Sequence, residues 1–280
     1  MSESRSNDVL SLLGLTGGLE NSTMGEGPPV AGGPHVRPDF LREERKGVPE
    51  VILAEGKDEH QVLEIAEAFL AVRGRAIISR LNPVLIERLQ ERFAGHEIEV
   101  SPSWRIMVVR KPGGRPPRTG GKVGIITAGT SDVPVAEEAR VMAEEMGCET
   151  TAIYDVGVAG IHRLFEPLRA MLEVSVDAVV VAAGMDGALP SVVAGLVNVP
   201  VIGLPTSTGY GLGGKGVSAL LSMLQTCSPG LVVVNIDNGI GAGATAAMIA
   251  NRVAAARASV DRHDESVGIA GVTEQAESPA

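Results

Sequence analysis

The spacing of hydrophobic positions changes along the chain, and this change predicts where strands and helices lie. From residue 122 onward, five short runs rich in Val, Ile and Ala are each followed by a longer segment with apolar residues at helical spacing. Short continuous apolar runs are typical of strands that are buried on both faces of a parallel sheet. We predict such strands over residues 123–128, 151–154, 178–182, 199–204 and 231–236. The helices are predicted over residues 133–146, 160–172, 188–197, 215–225 and 241–256.

This alternation of strand and helix indicates an α/β fold with a doubly wound parallel sheet. In such folds the ligand binds beyond the carboxyl ends of the strands. The loops expected at that edge carry glycine and polar residues that a simple connection does not need, at residues 130–132, 155–163, 183–187, 206–211 and 237–239. We therefore expect one composite ligand site there.

A smaller α+β domain is predicted before this sheet, over residues 37–110. A basic linker rich in Gly and Pro follows at residues 111–121, and the larger α/β domain is predicted to cover residues 122–257. Residues 1–36 are rich in Gly, Pro and Ser, and residues 258–280 are acidic and lack apolar periodicity. These two terminal segments are predicted to be flexible or disordered.

Composition narrows the classes of function. A net charge of −10 and an aromatic content of 2% argue against a surface that binds nucleic acid or anionic membranes. Cys148 and Cys227 are the only cysteines of the chain, which indicates no disulfide framework. No apolar run approaches the roughly 20 residues of a membrane span. We expect a cytoplasmic protein that acts on small molecules.

The turn after the first predicted strand of the large domain is the leading candidate for an anion site. Its sequence is Gly-Thr-Ser-Asp at residues 129–132, directly before a predicted helix. Unpaired N–H groups at a helix N-terminus bind phosphate or carboxylate groups. Ser131 and Asp132 could equally cap the helix, because capping uses the same N–H groups.

The second half of the chain resembles the PurE type of aminoimidazole-ribonucleotide carboxylase and mutase. The resemblance lies in residues 129–132, 161–163 and 183–190. Over residues 37–255 the chain is more similar to the LarB family, the PurE-related carboxylase/hydrolases that begin assembly of the nickel-pincer nucleotide cofactor. The further motifs that carry this similarity are residues 47–52, 55–57, 205–211, 220–227 and 234–239.

The resemblance implies a substrate and a reaction. LarB proteins carboxylate nicotinic acid adenine dinucleotide at carbon 5 of its pyridinium ring and cleave its phosphoanhydride. The products are pyridinium-3,5-biscarboxylic acid mononucleotide and AMP, carbon dioxide is the carboxyl donor, and Mg2+ is the expected cofactor. PurE-like proteins are commonly octamers, so the resemblance also implies a homo-oligomer.

Cys227 matches the nucleophile of the family. A thiolate that adds to carbon 4 of the pyridinium ring makes carbon 5 nucleophilic toward carbon dioxide. From the sequence alone, a cysteine near the end of an apolar helix is as readily explained as a core residue. A position near a helix C-terminus also raises the pKa of a thiol instead of lowering it. The assignment of Cys227 therefore depends on the resemblance.

Other residues are assigned to the site by their place in the matching motifs. His162 could remove the ring proton or orient a carboxylate, with an ordinary surface histidine as the alternative. Asp132 is assigned with His162 and Cys227 to catalysis. Asp186 is the expected magnesium ligand, although the family usually has Glu there. The predicted substrate-binding residues are Gly129, Thr130, Ser131, Arg163, Gly184, Met185, Thr206, Ser207 and Lys215.

Two interpretations stay open beside the leading one. The PurE-like loops would also fit an N5-carboxyaminoimidazole ribonucleotide mutase, and the change at Asp186 would fit a nucleotide-binding module without catalysis. In the small domain, Arg42, Arg45, Glu50 and Lys57 match the LarB pattern. They could cover the substrate, form a subunit interface or make only surface ion pairs.

Overall fold

The computed structural model describes the backbone of residues 36–273 and the side chains of residues 36–260. Nearly all of the N-terminal segment that we predict to be flexible therefore lies outside the described residues, as do residues 274–280. From Pro38 onward the chain forms one compact unit that contains two separate β-sheets.

The smaller sheet belongs to the α+β domain predicted before the linker. Its elements are α1 (Arg42–Lys46), β1 (Val51–Leu53), α2 (Glu59–Arg73), β2 (Arg75–Ser79), α3 (Pro83–Arg92), β3 (Glu97–Val100) and β4 (Ile106–Arg110). The strand order is β1-β2-β4-β3, and only the β1–β2 pair is parallel. Each of α2 and α3 begins shortly beyond the carboxyl end of a strand. The side chains of Asp58 and Asn82 cap these two helix N-termini.

The larger sheet is fully parallel and confirms the predicted doubly wound fold. Its strands are β5 (Lys122–Thr127), β6 (Glu149–Ile153), β7 (Ala178–Ala183), β8 (Val201–Pro205) and β9 (Leu231–Val233), in the order β6-β5-β7-β8-β9. Its helices are α4 (Val133–Glu145), α5 (His162–Glu173), α6 (Leu189–Ala194), α7 (Val217–Leu224) and α8 (Gly239–Thr273). Short 3-10 turns at Thr130–Asp132 and Val158–Gly160 lie just beyond β5 and β6.

Helices cover both faces of this sheet. Alternate residues of the central strand β7 point into two apolar layers, one under α4 and α8 and the other under α5, α6 and α7. Every residue of β7 is buried, which explains why its sequence is apolar without alternation. Gly243 lets α8 approach α4 closely, because a Cβ there would lie 2.3 Å from the carbonyl oxygen of Ala139.

The last helix is longer than the sequence pattern predicts. We predict a helix end near residue 256 and a disordered segment from 258, whereas α8 continues to Thr273. The extension contains no proline, and each added residue of an existing helix gains a backbone hydrogen bond. Despite this length, no helix in the described part of the chain is apolar enough to cross a membrane.

The small sheet packs against α4 through apolar and ionic contacts. Val141 of α4 joins a buried cluster with Ile77 and Ile106. Next to it, Glu145 forms a buried ion pair with Arg110 and a second ion pair with Arg75 at 3.3 Å. These contacts hold the small sheet beside the helix that follows the Gly-Thr-Ser-Asp turn.

Candidate functional site

Hydrogen bonds join the loops at the carboxyl edge of the large sheet into one surface. The Thr208 hydroxyl donates to the carbonyl oxygen of Ser131 at 3.2 Å, and the Met185 N–H donates to the Thr208 carbonyl at 2.9 Å. The Ser207 N–H donates to the Asp237 carboxylate at 2.9 Å. The loops after β5, β7, β8 and β9 are thereby held together, which confirms that this edge brings the predicted motifs into contact.

Asp132 lies under this surface and holds three of its loops. Its side chain is only 3% exposed, and its carboxylate accepts hydrogen bonds from the Gly129 N–H at 2.8 Å and the Thr206 hydroxyl at 2.6 Å. Burial raises the pKa of Asp132, and the nearby Asp237 carboxylate adds to this increase. Hydrogen bonds that Thr206, Gly129 and Gly184 donate to the carboxylate lower its pKa and partly oppose this increase. The predicted catalytic role of Asp132 stays a prediction, while its loop-organising contacts are observed.

The Gly-Thr-Ser-Asp turn forms a 3-10 turn that leads directly into α4. Asp132 gives α4 no side-chain cap of its own, but its carboxylate accepts from the Gly129 N–H in a capping-box contact on the 3-10 turn, so the capping alternative describes Asp132. Thr130 and Ser131 are exposed at the turn. The N–H groups of Asp132 and Val133 donate to the carbonyl oxygens of Gly129 and Thr130, and Pro134 has no N–H group, so the N–H groups that stay available to an anion are those of Thr130 and Ser131 in the 3-10 turn.

The loop after β7 requires glycine at its first position. A Cβ on Gly184 would lie 2.2 Å from the Thr208 carbonyl oxygen and 2.8 Å from the Thr206 hydroxyl oxygen. The next residue, Met185, has a φ of 54° and an exposed side chain. The two loops can touch here only because Gly184 has no side chain.

Left-handed backbone conformations gather at this edge. Asp155, Met185, Lys215 and Asp237 all have φ between 54° and 60° in the loops that follow strands of the large sheet. Such conformations cost energy for residues other than glycine, and they cluster at functional sites. The conformations of Asp155 and Asp237 carry no visible signal in the sequence, because neither position holds the glycine that usually marks a positive φ.

His162 and Arg163 begin α5, and both are exposed. The Arg163 guanidinium donates to the Asp155 carboxylate at 2.7 Å. Arg163 therefore already has an anionic partner in the chain, and a substrate phosphate would have to share or displace it. The His162 imidazole makes no hydrogen bond within the described residues and is open to a ligand.

The small domain reaches the same edge through Arg80. Its guanidinium donates to the Glu55 carboxylate at 2.5 Å and to the Asp237 carbonyl oxygen at 3.2 Å. Arg80 also has a left-handed conformation, with φ at 56°. Sequence reasoning missed this residue because its partners lie 25 and 157 positions away along the chain.

The matched residues of the small domain divide into two groups. Arg42 and Arg45 pair with Asp39 at 3.4 and 2.6 Å, and Arg42 also lies 3.4 Å from Glu50. These contacts form a local surface ion cluster, as the simplest interpretation predicts. Lys57 instead lies near Arg80, in the loop after β1, where its ammonium donates to the Leu53 carbonyl at 2.8 Å.

Cys227 lies at the opposite edge of the sheet. It follows α7, which runs back along the sheet, and it precedes β9, whose first residue pairs with Val201 at the start of β8. Strands rise about 3.3 Å per residue, so the six residues of β5 separate the two edges by about 20 Å. Within one chain, the expectation that Cys227 shares a site with the Gly-Thr-Ser-Asp turn is therefore wrong.

The two cysteines have different surroundings. Cys227 is exposed, so the alternative that it is a core residue is not correct. Cys148 is buried, and burial raises the pKa of its thiol to about 11, which makes it a poor nucleophile at neutral pH. Cys227 is therefore the accessible thiol of this pair.

A resident metal site is not preformed by side chains. Within residues 36–260, no group of three His, Cys, Asp or Glu side chains converges as a set of metal ligands. Asp186 is exposed in the loop after β7, and its carboxylate accepts only a 3.4 Å contact from the Ala188 N–H. Proteins often bind Mg2+ through one or two carboxylates together with substrate phosphates and water. Asp186 fits a magnesium site of that kind, which a phosphorylated substrate would complete.

The fold and the loops at its carboxyl edge define a PurE-like α/β domain, and comparison with known families agrees. Residues 122–265 match the AIR carboxylase family. Residues 32–111 match the LarB/PurE-like N-terminal domain. The chain therefore belongs to the LarB family, in which this N-terminal domain precedes a PurE-like domain.

Individual relatives match different shares of the chain. An uncharacterised protein of Methanocaldococcus jannaschii is 44% identical over 217 residues, which cover 76% of this chain and 82% of that protein. The N5-carboxyaminoimidazole ribonucleotide mutase of Thermotoga maritima is 33% identical over 46% of this chain and 74% of its own length. The mutase of Pyrococcus abyssi is 34% identical over 46% of this chain and 71% of its own. The mutases thus match less than half of this chain.

Proposed function

We propose that this protein is a carboxylase/hydrolase that acts on nicotinic acid adenine dinucleotide in nickel-pincer nucleotide cofactor biosynthesis. It converts the dinucleotide, carbon dioxide (supplied as bicarbonate) and water into pyridinium-3,5-biscarboxylic acid mononucleotide and AMP; the water hydrolyses the phosphoanhydride, and the proton of ring carbon 5 is released. The observation that carries this proposal is the LarB-type domain joined to a PurE-like domain in one chain. An exposed Cys227 supports it, because the chemistry requires an accessible thiol.

The carboxyl edge of the large sheet suits the mononucleotide half of this substrate. The 3-10 turn before α4 offers the N–H groups of Thr130 and Ser131 to a phosphate, next to the exposed hydroxyls of the same residues. Lys215 projects from the loop before α7, and no ion pair within the described residues neutralises it. These groups would hold the phosphate, and Asp186 would hold Mg2+ that screens its charge.

Cys227 would supply the nucleophile for the ring chemistry. Its thiolate adds to carbon 4 of the pyridinium ring, and the electron pair of the resulting enamine forms the bond from carbon 5 to carbon dioxide. Removal of the carbon 5 proton and expulsion of the thiolate then restore the aromatic ring. The exposed imidazole of His162 is the proposed acceptor of that proton.

The position of Cys227 means that this reaction needs two copies of the chain. One copy would provide the carboxyl edge, and a second would provide Cys227 from its amino edge. Apolar residues of α7 lie exposed near Cys227, with Val217, Leu221 and Leu224 at 50%, 58% and 62% exposure. Their spacing places them on one side of the helix, where a homo-oligomer would cover them.

The direct test is turnover by the purified protein. Wild type is incubated with the dinucleotide, bicarbonate and Mg2+, and mass spectrometry follows AMP and the dicarboxylated mononucleotide. Cys227→Ala is expected to lose at least a hundredfold in rate, because no other described thiol is accessible. Cys148→Ala is the matched control, and it should keep its activity. Absence of both products from folded wild-type protein would refute the proposal.

A second candidate function is the N5-carboxyaminoimidazole ribonucleotide mutase reaction. The similarity of the large domain to mutases from Thermotoga maritima and Pyrococcus abyssi favours it. That reaction needs no thiol, so Cys227→Ala would leave it unchanged. Growth of a purine auxotroph that expresses this chain would support the mutase and contradict our proposal.

A further inference from the structure

A cleft lies in the small domain, beyond the carboxyl ends of β1 and β2. Its volume is about 560 Å³, within the range of roughly 300–1,000 Å³ that is usual for small-molecule sites. It lies outside the Gly-Thr-Ser-Asp turn and the loops of the large sheet. None of the residues assigned to the PurE-like site lines it.

The local fold explains why a cleft forms at this place. β1 and β2 are parallel, and each leads directly into a helix whose N-terminus faces the same edge. Gly56 turns the chain between β1 and α2 with a φ of 79°. This strand-to-helix arrangement is the one that holds nucleotides in larger α/β folds.

The walls of the cleft differ in character. Pro83 and Val84 form an apolar wall at the start of α3, and Val84 is 62% exposed. Glu55 and Lys57 form a polar wall on the other side. A nucleoside matches both walls, since a base can lie on the apolar side while ribose hydroxyls donate to a carboxylate.

Arg80 connects this cleft with the PurE-like edge. It lines the cleft, pairs there with Glu55, and donates to the carbonyl oxygen of Asp237 in the loop after β9. A ligand that extends from the cleft to the large sheet must therefore pass its guanidinium. Arginine binds phosphate oxygens well because its planar fork donates two parallel hydrogen bonds.

We propose that this cleft binds the nucleoside monophosphate half of a dinucleotide, with the diphosphate beside Arg80. The identity of the dinucleotide rests on the function proposed above. The small domain would then hold the adenylate half, while the large domain holds the half that reacts. This division gives a role to the N-terminal domain that precedes the PurE-like domain.

The test measures binding of the two halves separately, by calorimetry on the full chain. AMP is the probe for the cleft, and nicotinic acid mononucleotide is the probe for the PurE-like edge. Val84→Glu places a carboxylate in the cleft and is tolerated by the fold, because Val84 is exposed in the first turn of α3, where acidic residues are favourable. We expect AMP affinity to fall at least tenfold and mononucleotide affinity to change less than twofold.

A pair of lysine variants controls for general loss of positive charge. Lys57 and Lys111 each donate to one backbone carbonyl, at 2.8 and 3.3 Å, but Lys111 follows β4 at the opposite edge of the small sheet. Lys57→Met should weaken AMP binding several-fold, and Lys111→Met should not. The inference is overturned if wild type does not bind AMP, if both lysine variants bind it equally, or if the mononucleotide displaces AMP.

Turnover separates this inference from the proposed function. If wild type makes the dicarboxylated product and Val84→Glu keeps the same KM for the dinucleotide, the inference alone fails. If wild type makes no product but Val84→Glu loses AMP binding, the cleft stands as a nucleotide site and the proposed function fails.

Discussion

At the scale of single residues, the structure separates groups that organise the site from groups that are open to a ligand. Asp132 is buried and accepts hydrogen bonds from Thr206 and Gly129, whereas Ser131, His162 and Lys215 are exposed around it. The sequence places all of them in segments that are predicted to lie at the same edge of the large sheet. Only burial and hydrogen bonding show which of them could touch a substrate directly.

The raised pKa of Asp132 predicts a pH dependence of stability. Its ordinary value is 3.8, and burial raises the pKa in the folded protein above it. The folded state therefore holds the proton more tightly, so this group stabilises the fold below pH ~4 and loses that contribution as pH rises through the folded pKa. Relative to Asp132→Asn, which does not titrate, wild type should lose free energy of unfolding as the pH rises above ~4 through the folded pKa. Urea unfolding at several pH values measures this, and a constant difference would contradict it.

Gly184 offers a second prediction at this scale. Gly184→Ala should destabilise the protein by about 1–3 kcal/mol, because its Cβ would meet the Thr208 carbonyl and push two loops apart. Gly214→Ala is the control, since the nearest atom to its added Cβ is 3.6 Å away. Thermal unfolding compares the two variants. Equal stability would show that the loops are not held in contact.

At the scale of elements, α4 is the helix on which the two sheets meet. Its N-terminus follows the Gly-Thr-Ser-Asp turn, and its C-terminal half carries Glu145, which pairs with Arg110 and Arg75 of the small sheet. The apolar spacing of the small domain predicts most of its helices and strands. It does not predict that arginines at the ends of β2 and β4 meet a buried glutamate of the large domain.

This buried ion pair should contribute strongly to stability. Arg110→Met leaves the Glu145 carboxylate with only Arg75, and removal of one partner from a buried pair typically costs about 3–5 kcal/mol. Adding Glu145→Gln should recover part of that loss. Arg118→Met is the control, because its pair with Glu149 is exposed and should contribute less than about 1 kcal/mol. Urea unfolding of these variants gives the comparison, and similar losses for both arginines would refute it.

At the scale of the whole molecule, the proposed site is incomplete in one chain. The predicted turn and the predicted nucleophile lie at opposite edges of a parallel sheet. The order of elements already implies this separation, because Cys227 follows a helix and precedes a strand. A homo-oligomer that brought the amino edge of one copy to the carboxyl edge of another would resolve the conflict.

Mixed oligomers test this arrangement. Cys227→Ala removes the thiol, and Ser131→Glu places a carboxylate where the substrate phosphate is proposed to bind, so each variant alone should be inactive. When the two are co-expressed in equal amounts, half of the chains carry an intact turn and the other half carry an intact thiol. If the copies pair at random, a quarter of the shared sites combine an intact turn with an intact thiol, so about a quarter of wild-type activity should be restored. A site within one chain would restore none, and that result would contradict shared sites.

The sequence by itself determined the fold class and the position of the Gly-Thr-Ser-Asp turn. Both follow from local patterns, because continuous apolar runs specify buried parallel strands and the glycine and polar residues after them mark the carboxyl edge. The tertiary structure decided that Asp132 is buried and that Arg80 reaches the large domain. It also decided that Cys227 is exposed. These features depend on contacts between residues distant in sequence, which spacing along the chain does not encode.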